Sequence, residues 1–478
     1  MNEQTISADI LKKFPLVDEE RINGLLQKEI NGSQVKIIVL DDDPTGVQTV
    51  HDISVYTDWT EESIRQGLKE KNKLFYILTN SRGFTEEQTI EVHRVIAENI
   101  AKAAGEMGIR FVVMSRSDST LRGHYPTEPR ILKEVLEDQG GELIDGEILC
   151  PFFKEGGRFT IDDVHYVQYG DKLVPAGETE FAKDKTFGYR ASNLREYVEE
   201  KTKGEYRAKD VLSISLDSLR SMEIDAVTEQ LLAAKNFNKI VVNAIDYCDL
   251  KVFCTALYRA MAKGKRFMFR TAAGLVKVMG GITDIPLLTR GDMVTKETDM
   301  GGIVVVGSHT QKTTAQLEEL LTLDCAEGIP FHSDLVLKGD EAFAAEIDRV
   351  VKKSEEIMRM GRTAVCYTDR KLLTIENETK EEALLRSVKI SDGVQALVGN
   401  LSVTPAFVVA KGGITSSDVG TKALKVKRAD VMGQVKPGIP VWKTGEESRF
   451  PGTPYVIFPG NVGEVQTLKE VVQVLSKK

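Results

Sequence analysis

Three consecutive carboxylates follow a short apolar run near the amino terminus, in the sequence KIIVLDDDPTG of residues 36–46. Ile37 to Leu40 are predicted to form a buried strand, and the proline and glycine after the aspartates predict a turn. Ligands of open α/β sheets bind where strands end in such turns. Asp41 to Asp43 repel one another unless a cation or an array of donors offsets their charge. The pattern indicates a polar-ligand site, with a solvated acidic turn as the alternative.

A second polar stretch, SRSDSTLRGH over residues 115–124, also follows a predicted strand. Arg116 and Arg122 bring two guanidinium groups close to the Asp118 carboxylate and to several hydroxyls, which no protein core could bury unpaired. Arginine in such a loop suits bidentate capture of a carboxylate or a phosphate. Arg158, in a loop after another predicted strand, extends this cationic side. The alternative is a structural network of ion pairs with the three aspartates.

Three glycine-containing loops in the second half of the chain each follow a predicted strand: Gly307 to Thr310, Gly412 to Thr415, and Gly460 to Gly463. Glycine exposes backbone N–H groups, and at the start of a helix these groups and the helix dipole both favour a phosphate. One such loop alone is better explained as a tight turn, whereas three in one α/β region indicate a nucleotide. Neither the P-loop motif nor the dinucleotide fingerprint occurs in the chain.

The elements that must position these loops alternate between strand-like runs and amphipathic helical segments. The clearest helix follows Leu78, with Thr85 as its cap and Gln88 in the capping-box position. This alternation predicts the α/β fold class, with mainly parallel sheets flanked by helices. A region without periodicity between Asp284 and Gly302 divides the chain into a domain at 1–290 and a domain at 300–478. The pattern of residues 160–190 predicts a hairpin inserted in the first domain.

Composition excludes several classes of protein. A chain of 478 residues is too long for one core. Its 63 basic and 72 acidic residues give a net charge of −9, which argues against nucleic-acid binding. No run approaches the ~18 apolar residues of a membrane span, and the amino terminus lacks the pattern of a signal peptide, so we expect a cytoplasmic protein. The five scattered cysteines predict buried thiols rather than disulfides or a zinc site.

At this point the motifs resemble those of the four-carbon acid sugar kinases, over nearly the whole chain. The resemblance depends on short motifs in both halves, of which Asp118 to Gly123 is the most specific: Asp42-Asp43-Pro44-Thr45-Gly46, Thr79-Asn80-Ser81-Arg82, Asp118-Ser119-Thr120-Leu121-Arg122-Gly123, Gly157-Arg158, Gly307-Ser308, Lys411-Gly412-Gly413 and Gly460-Asn461-Val462-Gly463. It implies a sugar-acid-binding domain and a nucleotide-binding domain with the active site in the cleft between them. It also implies transfer of the γ-phosphoryl group of ATP, with Mg²⁺, to a terminal hydroxyl of threonate, erythronate or an oxo-relative.

The resemblance also suggests roles for residues. Either Asp42 or Asp43 would accept the hydroxyl proton, while the other holds substrate hydroxyls or a Mg²⁺-bound water. Substrate contacts would come from the arginine-rich loops: Arg82, Arg116, Asp118, Ser119, Arg122, Gly123 and Arg158. Nucleotide contacts would come from the glycine loops: Ser308, Thr310, Gly412, Gly413, Ile414, Thr415, Gly460, Asn461 and Gly463. The particular sugar acid, the protein ligands of any metal and the formation of a homodimer are left open.

Two other functions compete with this hypothesis. The spacing Asp41-x-Asp43-x-Thr45 after an apolar run resembles the nucleophile motif of haloacid-dehalogenase-type phosphatases, and Ile77 to Asn80 resembles their second motif. Asp41 would then be the phosphorylated nucleophile and Asp43 the acid and base. This interpretation assigns no function to the loop around Asp118 or to the second domain. A non-catalytic sugar-acid-binding protein is the third hypothesis.

Overall fold

The structure is a computed structural model that describes residues 4–140, 142–371, 373–375, 378–460 and 462–477. The chain divides into two compact units. The first contains Met1–Gly46 and Asp58–Asp284, and the second contains Val47–Thr57 and Ile285–Lys478. Both units consist of strands and helices in alternation, with mainly parallel sheets, so the predicted fold class is confirmed. None of the described helices is long and apolar enough to cross a membrane.

The bounds of the strands and helices are as follows. The strands are β1 (Ile6–Ser7), β2 (Lys36–Asp41), β3 (Ile53–Tyr56), β4 (Leu74–Leu78), β5 (Phe111–Arg116), β6 (Gly146–Cys150), β7 (Arg158–Ile161), β8 (Val164–Tyr169), β9 (Lys172–Pro175), β10 (Leu212–Ile214), β11 (Asn238–Val242), β12 (Phe267–Thr271), β13 (Ile303–Val306), β14 (Ala326–Phe331), β15 (Thr363–Thr368), β16 (Val408–Lys411), β17 (Arg428–Lys436), β18 (Ile439–Thr444) and β19 (Pro454–Phe458). The helices are α1 (Glu19–Gly32), α2 (Glu61–Lys69), α3 (Glu86–Met107), α4 (Thr127–Gly140), α5 (Leu194–Lys201), α6 (Leu216–Arg220), α7 (Ile224–Ala233), α8 (Tyr247–Ala262), α9 (Ala273–Met279), α10 (Arg290–Met293), α11 (Gln311–Leu320), α12 (Asp340–Arg359), α13 (Lys380–Gly399), α14 (Gly413–Asp418) and α15 (Thr467–Leu475).

The main sheet of the first unit has the strand order β10-β11-β6-β12-β5-β2-β4, and every neighbouring pair is parallel. Strands β2 and β4 are buried at every position, as expected for parallel strands of a sheet that is covered on both faces. The register places Asp41 beside Leu78 on one neighbour and beside Arg116 on the other. Parallel pairing therefore brings the loops after β2, β4 and β5 together at one edge of this sheet.

A small antiparallel sheet with the order β1-β9-β8-β7 occupies Arg158–Pro175 and includes the short amino-terminal strand. Asp162 and Asp163 connect β7 to β8 with positive φ angles of 49° and 66°. After β9 the chain continues through short 3₁₀ turns, including Glu180–Lys183, before α5 begins with Asn193 as its cap. The region predicted as a hairpin thus contains three strands and then a compact irregular segment.

The sheet of the second unit has the order β3-β17-β18-β19-β16-β13-β15-β14. The strands from β19 to β14 are parallel, whereas β3, β17 and β18 are paired antiparallel. Strand β3 comes from the amino-terminal part of the chain and pairs with β17, from Ile53 opposite Val431 to Tyr56 opposite Arg428. No pattern in the sequence indicated that this strand belongs to the second unit.

Candidate functional site

Asp41 ends strand β2 and lies in a closely packed, buried environment. The carboxylate accepts a hydrogen bond from Arg116 Nη1 at 3.1 Å and another from the backbone N–H of Asp43 at 3.3 Å. Gly46 leaves space for this carboxylate, because a Cβ at that position would lie 1.8 Å from Asp41 Oδ2. Burial raises the pKa of Asp41 to about 7, although the neighbouring Arg116 favours the charged form.

We expect this shift to make stability depend on pH. The folded state holds the Asp41 proton up to about pH 7, whereas the unfolded state releases it near 3.8. The contribution of Asp41 is therefore complete below about pH 4 and is lost as the pH rises towards 7, by about 1.4 kcal/mol per pH unit. Other groups titrate in the same range, so the difference in unfolding free energy between wild type and Asp41→Asn isolates this contribution. A difference that is constant between pH 4 and 7 would contradict it.

Asp42 is held as a buried anion by Arg82. The guanidinium donates from Nη2 to Asp42 Oδ1 at 2.6 Å and from Nε to Oδ2 at 3.2 Å, and Ser117 Oγ donates to the same carboxylate. Burial alone would raise the pKa of Asp42, but the guanidinium groups of Arg82 and Arg116 outweigh it and lower that pKa below its usual value. The Asp42 side chain is only 2 % exposed, and both of its oxygens are occupied by these partners.

Asp43 is the most accessible of the three carboxylates. Its side chain is 18 % exposed, whereas those of Asp41 and Asp42 are 3 % and 2 % exposed. Arg82 Nη1 donates to Asp43 Oδ2 at 3.2 Å, and Thr45 donates to Oδ1 from its backbone N–H at 2.8 Å and from its hydroxyl at 2.6 Å. Asp43 is therefore oriented by fixed donors and still reaches solvent.

The loop after β5 carries Asp118 and Arg122, which pair at 2.8 Å between Arg122 Nε and Asp118 Oδ2. Burial opposes ionisation of Asp118, but Arg82 and Arg122 hold its pKa well below the usual range. The chain turns sharply here, with φ of 68° at Leu121 and 112° at Gly123. A Cβ on Gly123 would lie 2.7 Å from both Arg270 Nη2 and Ser117 Oγ, so only glycine fits.

Buried side chains from other elements hold the backbone of this loop. His165 Nε2 lies 2.8 Å from Ser119 O, the Tyr189 hydroxyl donates to Thr120 O at 2.7 Å, and the Tyr197 hydroxyl donates to Leu121 O at 2.9 Å. These three side chains come from β8, the segment after β9, and α5. The fixed carbonyl positions mean that the side chains of the loop project from a rigid backbone.

Two charged residues of this site were missed by sequence analysis. Glu128, in α4, is 1 % exposed and accepts hydrogen bonds from Ser81 Oγ at 2.6 Å and Arg270 Nη1 at 2.6 Å. Arg270 also donates to Arg122 O at 3.0 Å. For Arg270 a signal was available, because it follows the apolar run Phe267 to Phe269 of strand β12. Glu128 gave none, because α4 contains several other charged residues.

The three glycine loops of the second unit follow adjacent strands, since β19, β16 and β13 are neighbours in the sheet. Thr313 connects two of the loops, because its hydroxyl lies 3.1 Å from Ser308 Oγ and donates to Gly460 O at 3.3 Å. The first and second loops also touch: a Cβ on Gly307 would lie 2.2 Å from Thr415 Oγ1, and a Cβ on Gly412 would lie 3.3 Å from Ser308 Cβ. The three loops therefore form one continuous surface.

The remaining predicted nucleotide residues occupy different places in these loops. Thr310 caps α11 by accepting a hydrogen bond from the backbone of Thr313, and Gly413 begins α14. Ile414 is 74 % exposed, so its side chain reaches solvent. Gly463 has a φ of 81° and lies against Thr467 rather than against the other loops. Asn461 lies outside the described residues.

Lys411 and Arg370 are cationic residues near these loops that the sequence analysis did not select as ligand-binding residues. Lys411 is fully buried, and its Nζ donates to Pro459 O at 2.6 Å and to Gly460 O at 3.2 Å. Burial lowers the pKa of Lys411 to about 7. Arg370 Nη2 donates to Ser308 O from the loop after β15. Both side chains therefore fix carbonyl groups in or next to the loops.

One group of described residues in the second unit has the composition of a metal site. Ligand atoms of His332, Asp334 and Asp369 lie within 4.8 Å of one another. Two of these residues are exposed, and Asp369 Oδ2 already accepts hydrogen bonds from the backbone and hydroxyl of Ser333 at 3.1 Å. We assign no ion to this group, because exposed acidic clusters are common on protein surfaces.

The chain folds into two α/β units, and the loops described above carry polar and charged groups of the kind that suit small polar ligands. Residues 37–279 match the family model of a sugar-binding N-terminal domain, and residues 303–468 match that of a nucleotide-binding C-terminal domain. The chain therefore belongs to the family with this domain pair, which is the architecture of the four-carbon acid sugar kinases. The resemblance predicted from the motifs is confirmed.

Solved structures share the fold at low sequence identity. The Haemophilus influenzae protein HI1011 is 17 % identical, with a TM-score of 0.61 over 92 % of this chain and 100 % of its own. A putative tRNA synthase from Salmonella typhimurium LT2 is 15 % identical, with a TM-score of 0.65 over 92 % of this chain and 100 % of its own. No curated protein matches the chain.

Proposed function

We propose that this protein is an ATP-dependent kinase that phosphorylates a terminal hydroxyl of a four-carbon sugar acid. The observation that carries the proposal is the arrangement around Asp43. This accessible carboxylate is oriented by Arg82 and Thr45, in a loop beside further guanidinium groups. The membership of the chain in a family with a sugar-binding and a nucleotide-binding domain supports it.

In this proposal Asp43 is the proton acceptor. Phosphoryl transfer requires a positioned hydroxyl, a residue that accepts its proton and donors that stabilise the charge on the phosphoryl group. The substrate oxygen forms a bond to the γ-phosphorus, the bond from that phosphorus to the β,γ-bridging oxygen breaks, and the proton passes to Asp43 as ADP leaves. Asp42 is unsuited to this role, because its side chain is only 2 % exposed and Arg82 and Ser117 hold both of its oxygens. Its fixed negative charge instead orients Arg82.

The sugar acid itself would bind through the loop after β5 and through Arg158. Asp118 would accept hydrogen bonds from substrate hydroxyls, and Ser119 would donate a hydrogen bond to one of them. Arg122 and Arg158 would contact the carboxylate of the substrate. Arg116 is 5 % exposed and donates to Asp41, so it acts through that carboxylate rather than on the substrate. Gly123 has no side chain, which lets the turn of this loop lie close to Arg270 and Ser117.

The glycine loops would bind ATP. The N–H groups of Ser308 to Thr310 and of Gly413 to Thr415 would contact the phosphates, and the exposed Ile414 would contact the base or ribose. Mg²⁺ usually binds through substrate phosphates and one or two carboxylates. The loops contain hydroxyls and amides but no acidic residue, so they fit phosphates rather than the bare ion. Mg²⁺ bound to ATP would neutralise charge on the phosphates during transfer.

Replacing Gly412 by Ala is expected to weaken ATP binding. Gly412 has a φ of 126°, a conformation that costs other residues about 1–3 kcal/mol, and its added Cβ would press on Ser308 and Thr415 at 3.3 Å. We expect the KM for ATP to rise about tenfold, a loss of ~1.4 kcal/mol, with the KM for the sugar acid unchanged. Steady-state kinetics with each substrate varied in turn measures both values.

Gly339→Ala is the matched control, because Gly339 also has a positive φ, of 98°, but its added Cβ would meet nothing within 4 Å. It should lower the melting temperature to a similar extent without changing either KM. If both variants raise the KM for ATP equally, backbone strain and not the loop surface explains the result for Gly412.

The phosphatase hypothesis requires Asp41 to attack a substrate as a nucleophile. The Asp41 side chain is 3 % exposed, is paired with Arg116 and is packed against Gly46, so a phosphate ester would not reach it. A non-catalytic binding protein does not require Asp41 to react. Only a measurement of turnover distinguishes it from a kinase.

The test is a coupled assay of ADP release with ATP, Mg²⁺ and a panel of four-carbon acids, with the product identified by mass spectrometry. A kinase gives ADP and a sugar-acid phosphate in equal amounts. Phosphate release from a sugar phosphate without ATP would support the phosphatase instead. Calorimetric binding of a sugar acid with no ADP formed would support the binding protein.

A further inference from the structure

The segment that follows β9 packs against the loop of Asp118 and Arg122. The ring of Phe187 meets the ring of His124 edge-on at 4.9 Å between centres, and the Tyr189 hydroxyl donates to Thr120 O at 2.7 Å. Asp184 organises the segment internally by accepting hydrogen bonds from the backbone N–H groups of Thr186 and Phe187 at 2.8 and 3.0 Å. Residues 180–189 therefore form an ordered wall against this loop.

Arg158 differs from the other arginines around this loop in its partners. Arg82, Arg116, Arg122 and Arg270 each have a carboxylate within 4 Å. Among the described residues Arg158 has no carboxylate at that distance: its Nη1 donates to Gly156 O, and its Nε is buried without a hydrogen-bond partner. An unsatisfied buried donor costs free energy that an anionic ligand can recover.

Phe181 takes the place of a counterion beside this guanidinium. The centre of its ring lies 5.5 Å from Arg158 Cζ and 5.1 Å from Arg122 Cζ, so two cations share one aromatic ring. The π-electrons attract both guanidinium groups and accept no conventional hydrogen bond from Arg158 Nε. A carboxylate in this position would have neutralised Arg158 and competed with an anionic substrate.

We propose that Phe181 is a positioning residue that determines the affinity for the carboxylate of the substrate, by holding the Arg158 guanidinium in place without a protein carboxylate that would compete for it. The proposal rests on the proposed function, and it makes the segment after β9 part of the substrate-binding site. Arg122 keeps its partner Asp118 and also contacts the same ring.

Two substitutions separate the aromatic contact from simple packing. Phe181→Leu keeps an apolar side chain of similar size but removes the π-system, whereas Phe181→Tyr retains the ring. We expect Phe181→Leu to raise the KM for the sugar acid about tenfold, with kcat and the KM for ATP changed less than about twofold. Phe181→Tyr should stay within about threefold of wild type. Phe450→Leu, which removes a ring that lies 5.5 Å from the Arg449 guanidinium outside the proposed site, is the matched control and should leave all three constants unchanged.

Equal effects of Leu and Tyr at position 181, a KM for the sugar acid that does not change in Phe181→Leu, or an effect on kcat or the KM for ATP would overturn the proposal. Melting temperatures of the variants show whether the segment stays folded. If wild type binds a sugar acid but has no kinase activity, the proposed function fails, and the same comparison is then made with calorimetric Kd values. A tenfold weaker Kd in Phe181→Leu alone would still support the role of Phe181.

Discussion

Asp43→Asn is expected to lower kcat about a thousandfold while the KM for ATP stays within about twofold of wild type. The amide cannot accept the proton of the attacking hydroxyl, whereas its carbonyl oxygen can still accept the hydrogen bonds of Thr45. Arg82 keeps its bidentate contact with Asp42, so the fold should be retained. Steady-state kinetics with the best sugar acid, together with a thermal melt, measures both effects.

The control for this prediction is Asp52→Asn. The Asp52 side chain is 85 % exposed and lies outside the proposed site, so turnover should stay at the wild-type level. A wild-type kcat in Asp43→Asn would show that another group accepts the proton. A thousandfold loss in Asp42→Asn with normal turnover in Asp43→Asn would transfer the role to Asp42.

Arg82→Met is expected to lower the free energy of unfolding by about 3–5 kcal/mol, because it leaves the Asp42 carboxylate buried without its main partner. Methionine preserves much of the apolar side-chain length, so the loss comes chiefly from the charge and its hydrogen bonds. Turnover should fall as well, since Arg82 also orients Asp43. Denaturant unfolding monitored by circular dichroism gives the free energy.

Arg130→Met is the matched control for the charge. Arg130 pairs with Glu205 on the surface, where the two side chains are 45 % and 51 % exposed, and exposed pairs contribute at most about 1 kcal/mol. A loss below 1 kcal/mol in Arg82→Met would mean that Arg116 and Ser117 are sufficient to stabilise the Asp42 anion.

The fold class could be predicted because the spacing of apolar residues that marks each helix or strand is visible within a short stretch of sequence. Asp41 to Asp43 and the loop around Asp118 could be placed together, since both follow predicted parallel strands. The differences between the three aspartates could not be predicted. Their neighbours in sequence are alike, and only the positions of Arg82, Arg116 and Gly46 distinguish an accessible carboxylate from two buried ones.

Other features depend on contacts between distant parts of the chain. Glu128 and Arg270 are separated by 142 residues, and each is typical of a surface residue until the other is seen beside it. The contact of Phe181 with Arg158 depends on the path of an irregular segment, which no periodicity describes. The predicted cleft between the domains and the contribution of Asn461 stay predictions.

The position of β3 in the chain affects where the protein could be divided into separate fragments. The strand lies within Val47–Thr57, yet it pairs with β17 of the second unit. A fragment beginning at Ile285 would lack that strand, and the N–H and C=O groups of β17 that it covers would be free to pair with another molecule. We expect such a truncated half to aggregate, and a synthetic peptide spanning residues 47–57, or a fusion of that segment to the fragment, to restore its solubility.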